Sequence, residues 1–582
     1  MRKNVRSYHP GHPNPQFYRP IFESLNGEWR FVFDDEQKGL SDGWSNKIPE
    51  QTLPIQVPYA YETPLSGINS QEEHDTVWYF KTFANPHWKQ KVYLHFERLD
   101  YVFDGWLNGH YLGKHIGGYD AFVRDISEYL NEDENLLSIR VYDDKDPSHI
   151  RGKQTWEKTP FSCFYPTTTG IYGDVWLEEV PSASLQGCDI RGLYSDKSIY
   201  IRLLFTPEAV GEDVEVAISY RGKKVTSAHF VSTNIYYEGE IAIPAKDFHA
   251  YSPAYPCLYD AEIILRRNGE VTDTVGTYFG INEVQARDGK IFLNGKKRYL
   301  KFVLYQGYNP EGGLTFGEEG YLKDIALIKA MGFNGVRVHE KIESELFYYL
   351  CDREGLLTTV EMPSPHVYNH FENFEIQSEF GRIITDHVPH PSIISYVIYN
   401  ESWGVDNIAS SDEEKDLVNG LYQMANRIDW TRPVVSNDGY EATETDIVAL
   451  HNYAEDGKAL LASYAGLKDA LKKGENFFAC TDKKAFALDY HYSGQPIILS
   501  EFFGASFKAS AGKGWGYNTP VKDSRAYLRR YRSLLRAIKK LSFAGYCATQ
   551  FADTYQEKNG FVSDAREPKA SLEAIKRANK AF

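Results

Sequence analysis

Two glutamates stand where long apolar runs stop. Ser395-Tyr396-Val397-Ile398-Tyr399 runs into Asn400-Glu401-Ser402-Trp403, and Pro496-Ile497-Ile498-Leu499-Ser500 runs into Glu501-Phe502-Phe503-Gly504. A single glutamate beside a strand end ordinarily caps a helix or solvates a rim. Two, on strands that face each other across one barrel mouth, suit a different task. One carboxyl stays protonated and gives its proton to a leaving oxygen, while the other, about 5–5.5 Å away, attacks an anomeric carbon. That is the chemistry of glycoside hydrolysis with retention of configuration.

The elements that must hold such a pair are legible in the periodicity. From about residue 284 short apolar strands alternate with helical spacing. Lys323 to Met331 repeats at helical period and stops at Gly332, and Gly335-Val336-Arg337-Val338 follows as a strand. The strand candidates are Leu300 to Leu304, Asn334 to Val338, Leu356 to Val360, Ile393 to Tyr399, Pro433 to Ser436, Ile447 to Leu450, Pro496 to Leu499 and Phe543 to Ala548. Repeated βα units of this length predict a (β/α)8 TIM barrel over 284–582, with chemistry at the C-terminal strand ends. A doubly wound open sheet is the alternative, but no GxGxxG turn follows the first strand.

Upstream the chain reads as strands alone. Trp29 to Phe33, Val77 to Phe83 and Lys91 to Phe96 are aromatic and β-branched, with turn signals at Asn26-Gly27, Asn108-Gly109 and Gly117-Gly118. This predicts a β-sandwich over 1–180. Ile199 to Phe205, Val214 to Ile218 and Asp260 to Leu265 predict a second sandwich of immunoglobulin-like size over 181–283.

Composition narrows the partners. The 582 residues carry 64 Lys+Arg against 80 Asp+Glu, a formal net charge of −16. Nucleic acid and anionic membrane surfaces favour a basic patch, so neither is expected. No run approaches a membrane span, and the first twenty residues lack the apolar core of a signal peptide. The six cysteines are scattered without CxxC spacing, which argues against a zinc site or disulfide framework and fits a reducing cytoplasm. Aromatics make up 15% of the chain. Sandwich cores account for most of them, and sugar-stacking surfaces are the sharper reading.

Further motifs carry a family resemblance. Thr169-Gly170-Ile171-Tyr172-Gly173-Asp174-Val175-Trp176, Ser252-Pro253-Ala254-Tyr255-Pro256-Cys257-Leu258-Tyr259, Phe292-Leu293-Asn294-Gly295-Lys296, Met331 to Arg337 and Cys351 to Leu356 occur in order. Together with Asn400-Glu401 and Ser500-Glu501-Phe502 they resemble glycoside hydrolase family 2 across most of the chain. The resemblance implies a multidomain fold: an N-terminal jelly-roll-like, sugar-binding-like sandwich, an immunoglobulin-like sandwich and the catalytic barrel. It implies Glu401 as general acid/base, Glu501 as nucleophile and Asn400 as a ligand of the sugar 2-hydroxyl. Tyr453 falls where the clan often has a tyrosine beside the nucleophile. Arg337 falls where it often has an arginine, and a purely structural ion pair is an equal reading. His339 and His366, at other strand ends, either contact sugar hydroxyls or are satisfied structural histidines. Trp403 either stacks on a sugar or packs the core.

The expected activity is that of a retaining exo-β-glycosidase acting on an oligosaccharide or glycoside, foremost a β-galactosidase, with no metal or cofactor. β-Glucosidase, β-mannosidase and α-L-arabinosidase activities stand as alternatives. β-Glucuronidase is disfavoured because no Asn-x-Lys follows Glu501, the motif with which the family's glucuronidases read a uronic carboxylate. Two readings lie outside the class: a silent carbohydrate-binding protein, and a metal enzyme using His339, Glu361 and His366. The first-strand loop Tyr305 to Leu314 and the last strand Thr549-Gln550-Phe551 depart from better-known members, the latter lacking their tryptophan. The chain ends after the barrel, so the first two domains are read as scaffold or cleft wall. The family's habit of forming dimers and tetramers leaves a homo-oligomer open.

Overall fold

A computed structural model describes residues 11–480, 482–508 and 514–580. The first ten residues of the first sandwich span, and the last two of the barrel span, lie outside the described residues. Strands Phe22–Ser24, Val175–Val180, Lys91–Phe96 and Phe122–Asp125 form a four-stranded sheet. It faces a six-stranded sheet ordered Leu53–Val57, Gly27–Phe33, Thr76–Ala84, Glu134–Tyr142, Val102–Leu107 and His110–Ile116. Every other residue points inward, as a two-residue side-chain period requires: Trp29 and Phe31, Val77 and Tyr79, Ile139 and Val141 fill the core between the sheets. Two further four-stranded sheets form the second sandwich, closed on Ile199, Ile201, Leu203, Val214, Val216 and Ile263.

The antiparallel strands Val284–Arg287, Lys290–Leu293 and Lys296–Arg298 then lead into the barrel. Its strands are β1 Leu300–Tyr305, β2 Gly335–Val338, β3 Thr358–Glu361, β4 Ile393–Asn400, β5 Val434–Asp438, β6 Val448–His451, β7 Ile497–Glu501 and β8 Gly545–Ala548. They form a five-stranded arc, β2-β1-β8-β7-β6, and a three-stranded arc, β3-β4-β5. Bridges Gly335 to Leu357 and Gly439 to Leu450 join the arcs into a closed barrel. Its helices are α1 Glu318–Ala330, α2 Glu345–Glu354, α3 Asn373–His387, α4 Asp412–Ile428, α5 Gly457–Ser463, α6 Leu467–Lys473, α7 Ser524–Leu541 and α8 Leu572–Asn579.

The alternation expected from the sequence fails once. Residues 439–447 connect β5 to β6 without a helix, and α5 and α6 both follow β6. Gly439-Tyr440-Glu441-Ala442-Thr443-Glu444-Thr445 has no apolar stripe at helical spacing. The buried Thr445 hydroxyl bonds locally instead, Oγ1 to the Ile447 carbonyl at 2.7 Å.

The barrel interior is polarised. At the N-terminal end Ile291 and Leu293 of the entry strands pack with Phe302, Val397, Val435 and Ala449 in an apolar cluster. At the C-terminal end the inward residues are Arg337, Glu361, Asn400, Asp438, His451 and Glu501, all buried. The apolar end closes the fold, and the polar end is where barrel chemistry sits.

Candidate active site

Glu401 leaves β4 through a turn no ordinary strand end would make. Glu401 and Ser402 both adopt left-handed backbone, with φ of +49° and +58°. That costs about 1–2 kcal/mol per residue for L-amino acids, so the surroundings must enforce it. The Glu401 amide donates to the Asp438 carbonyl at 2.8 Å, the Ser402 amide to Asn437 Oδ1 at 3.0 Å, and the Tyr440 hydroxyl to the Glu401 carbonyl at 3.1 Å. Glu501 ends β7 after a register shift against β6, where Leu450 pairs with Leu499 but His451 with Glu501. The bulge lets consecutive side chains, Ser500 and Glu501, both reach the interior, with the Ser500 hydroxyl on Asp438.

The two carboxylates converge. A Glu401 oxygen, a Glu501 oxygen and a His451 ring nitrogen all lie within 4.8 Å of one another. Arg337 Nη1 donates to Glu501 Oε1 at 3.1 Å, and the Tyr453 hydroxyl donates to Oε2. The same guanidinium holds Asn400 Oδ1 at 2.8 Å, both oxygens of Glu361, and Asp438 at 3.2 Å. Arg337 is thus both ion-pair partner and positioning residue. It orients Glu501 and Asn400 from behind, without lining the cavity. His339 lines the cavity and bonds Glu361 Oε1 at 2.8 Å. Burial, with Arg337 beside it, pushes its imidazole well below the usual range, so it is neutral.

His451 is the residue that sequence reasoning passed over. Its Nδ1 meets Glu401 Oε1 at 2.6 Å, its Nε2 meets Asp438 Oδ1 at 2.7 Å, and Glu501 Oε1 is 3.5 Å from Nε2. Burial alone would lower its pKa, but the surrounding carboxylates raise it to about 10. Glu401 shows the complement. Burial pushes its carboxyl up, and the hydrogen bond and charge of His451, with Arg337, outweigh that and hold it below the usual range. The Glu401, His451, Glu501 group is the one set among the described residues with donor atoms grouped as a metal would need. An imidazolium with both nitrogens engaged has no lone pair to offer. The alternative set, His339, Glu361 and His366, does not converge: His366 Nε2 is 2.6 Å from the Gly152 carbonyl, and its ring stacks on Trp156 at 4.4 Å. His366 belongs to the packing behind the wall, while Trp403, beside it at 5.2 Å between ring centroids, does line the cavity.

That cavity, about 350 Å3, is built from two domains. The first sandwich sends residues 147–165 over the barrel mouth. His366 N donates to the Pro147 carbonyl at 2.7 Å, Gly152 N to the Ser364 carbonyl at 3.0 Å, and Gln556 Nε2 to the Phe164 carbonyl at 2.8 Å. Lys153 Nζ reaches in to Glu557 Oε2 at 2.6 Å, an ion pair buried on both sides. Gln306 Nε2 bonds the same oxygen at 2.6 Å and also Gln550 Oε1. The aromatic wall missing from β8 comes from the connection after β7. Tyr517 stacks on Tyr453 with centroids 3.4 Å apart, and Trp515 Nε1 donates to the Ser162 carbonyl at 2.7 Å. Lys153 and Trp515 sit in loops without strand periodicity, so no sequence pattern marks them.

Two family models match this architecture: "Glycosyl hydrolases family 2, sugar binding domain" over residues 22–181 and "Glycosyl hydrolases family 2, TIM barrel domain" over 284–582. The chain belongs to glycosyl hydrolases family 2. A Pectobacterium atrosepticum protein named beta-galactosidase is 26% identical over 491 residues, covering 77% of this chain and 45% of its own length. A Formosa agariphila protein provisionally named a beta-glucuronidase is 25% identical over 455 residues, covering 74% and 53%. The chain therefore spans about half the length of these curated relatives. A solved Bifidobacterium dentium beta-glucuronidase shares the fold over 98% of both chains, with TM-score 0.81 and 20% identity. None of the helices among the described residues is long and apolar enough to cross a membrane.

Proposed function

We propose that the chain is a retaining exo-β-glycosidase in which Glu501 is the nucleophile and Glu401 the acid/base. The observation that carries this is the approach of the two carboxylates to within 4.8 Å. It matches the short separation of double-displacement enzymes and leaves no room for the water that an inverting pair encloses, which needs about 6.5–9.5 Å. Glu501 attacks the anomeric carbon as the bond to the aglycone oxygen breaks, and that oxygen takes a proton from Glu401. Water then gives a proton back to Glu401 and displaces Glu501. Asn400, fixed by Arg337, is the ligand for the sugar 2-hydroxyl. The proton for the first step resides in the Glu401–His451 pair, which Asp438 anchors. His339 and Trp403 contribute to the cavity wall.

For the glycone we favour a β-galactoside. Relatives named beta-galactosidase support this, as does the absence of Asn-x-Lys after Glu501. A binding protein without turnover would have no use for a nucleophile held by both an arginine and a tyrosine. A panel of aryl β-galactoside, β-glucoside, β-mannoside, β-glucuronide and α-L-arabinoside tests the reading, with wild type beside Glu501→Gln. Galactoside turnover that falls more than about a thousandfold in Glu501→Gln is expected. Activity retained within about tenfold would remove Glu501 as nucleophile.

A further inference from the structure

One wall of the cavity holds a polar cluster that the two-carboxylate chemistry does not use. Lys153, Gln306, Gln550 and Glu557 all line the cavity and are all buried, at 3%, 5%, 1% and 2% exposure. Glu557 Oε2 accepts from both Lys153 Nζ and Gln306 Nε2. Two polar atoms are left over: Gln306 Oε1 and Gln550 Nε2 are buried without a hydrogen-bond partner among the described residues. An orphaned acceptor and an orphaned donor, on two amides bonded to each other, are costly to bury, and at the wall of a cavity a ligand is one explanation for them. A sugar hydroxyl both accepts and donates, so the hydroxyls of a sugar have the chemistry that these two atoms lack.

The charges say which sugars fit. Among the described residues Lys153 is the only lysine or arginine lining the cavity, and its charge is already matched by Glu557. Arg337, behind the carboxylates, is spent on Glu361, Asp438 and Glu501. The remaining ionisable lining includes Glu401 and Glu501. A glycone carrying its own carboxylate would meet Glu557 with no free cation among the described lining residues to compensate, and as an acceptor-only group it would leave Gln306 Oε1 unanswered.

We propose that the Lys153–Glu557 ion pair, with Gln306 and Gln550, is a hydroxyl-reading subsite that admits a neutral glycone and rejects a uronic acid. The inference rests on the Glu401/Glu501 reading and adds the device that sets its substrate class. Lys153 comes from the first sandwich, so the selectivity of the barrel is set partly by another domain. Glu557 plays two parts: it holds the cluster together, and it masks the Lys153 charge that a uronate would need.

The test uses the full chain with paired aryl β-galactoside and β-galacturonide. Wild type is expected to favour the neutral member in kcat/KM by at least ~100-fold. Glu557→Gln unmasks Lys153 and is expected to cut that ratio by at least ~tenfold, with the uronide rate rising in absolute terms. Gln550→Leu is expected to lower kcat/KM for the neutral substrate by at least ~tenfold and to leave the uronide no better. A folded Glu557→Gln with an unchanged ratio overturns the proposal, as does a wild type that prefers the uronide. Should Glu557→Gln not fold, product inhibition of wild type decides: galactose must inhibit at least ~tenfold more tightly than galacturonate, and equal inhibition overturns the proposal. Glu501→Gln on the same panel keeps the two readings apart. Its inactivity beside an unchanged Glu557→Gln ratio removes the filter alone, whereas its retained activity removes the underlying mechanism.

Discussion

Glu401 is asked to deliver a proton although its surroundings hold its carboxyl below the usual range. The resolution lies in treating it with His451 as a pair sharing one proton. With His451 raised to about 10, the pair keeps that proton through neutrality and can pass it on through Glu401. His451→Asn removes both the reservoir and the charge that depresses Glu401. The proton must then be held by the carboxyl alone, whose pKa lies far below 10, so the alkaline limb of kcat/KM should move to lower pH. An alkaline limb that stays in place in a pH–rate profile would show that His451 is only packing. Glu401 and Glu501 were legible in the sequence because each ends an apolar strand run, and Tyr453 through the family resemblance, which puts a tyrosine beside the nucleophile. His451 was not legible. It sits in the same stretch, but its role arises only when the β6–β7 register shift pairs it with Glu501 and Glu401 turns back through left-handed backbone. Neither event has a one-dimensional signature.

At the scale of elements, the eight barrel strands were readable from apolar runs bounded by polar ends, and they fall within a few residues of expectation. The helix expected between β5 and β6 was not there, because periodicity elsewhere had been extended over a segment with none. The first-sandwich loop over the barrel mouth was also hidden, since its placement depends on contacts distant in sequence. Gly152 shows how tightly it is set. With φ at +58°, its amide donates to the Ser364 carbonyl, and a Cβ there would lie 2.0 Å from the Glu340 carbonyl oxygen. Gly152→Ala must lift the loop and with it Lys153. We expect kcat/KM to fall at least ~tenfold, since small misplacements of positioning groups are costly. Gly222→Ala is the control. It has φ of +74° in a turn of the second sandwich with nothing within 4 Å of the added carbon. It should cost about 1–2 kcal/mol of stability and leave kcat/KM unchanged. Equal kinetic effects of the two substitutions would contradict the loop's role.

Across the whole molecule the domains are riveted by buried polar contacts. Arg19 joins the sandwiches through Glu178 at 3.0 Å and Asp273 at 2.9 Å. The second sandwich meets the barrel where Tyr278 donates to Asp352 at 2.7 Å and Arg191 lies 4.1 Å over Trp430. The first meets it where Glu379 accepts from the Gly118 and Tyr119 amides at 3.0 and 2.8 Å. So much burial has a pH signature. Burial pushes Glu62 and Glu340 up to about 8, and Glu97 and Asp100 up to about 7. Against burial, neighbouring carboxylates hold His390 up to about 9 and His451 to about 10. The unfolded carboxyls release their protons near pH 4 and the unfolded histidines near 6.5. From pH 6.5 to 8 the folded chain therefore binds more protons than the unfolded one, and stability falls as pH rises. His95, His366 and His387, which burial lowers to about 4, oppose this only below about 6.5, where unfolded histidines take up protons. Scanning calorimetry should find the first unfolding transition several degrees lower at pH 8 than at 6.5. A midpoint equal or higher at pH 8 would count against these buried protons.

The account rests on Glu501 attacking one face of the sugar and water arriving later on the opposite face, the one the aglycone left, with Glu401 taking its proton. Proton NMR of the first seconds of aryl β-galactoside hydrolysis observes this directly. The account predicts that the β-anomer of the released sugar appears first and mutarotates afterwards. The α-anomer appearing first would mean a single displacement, and would contradict Glu501 as nucleophile whatever the other site residues do.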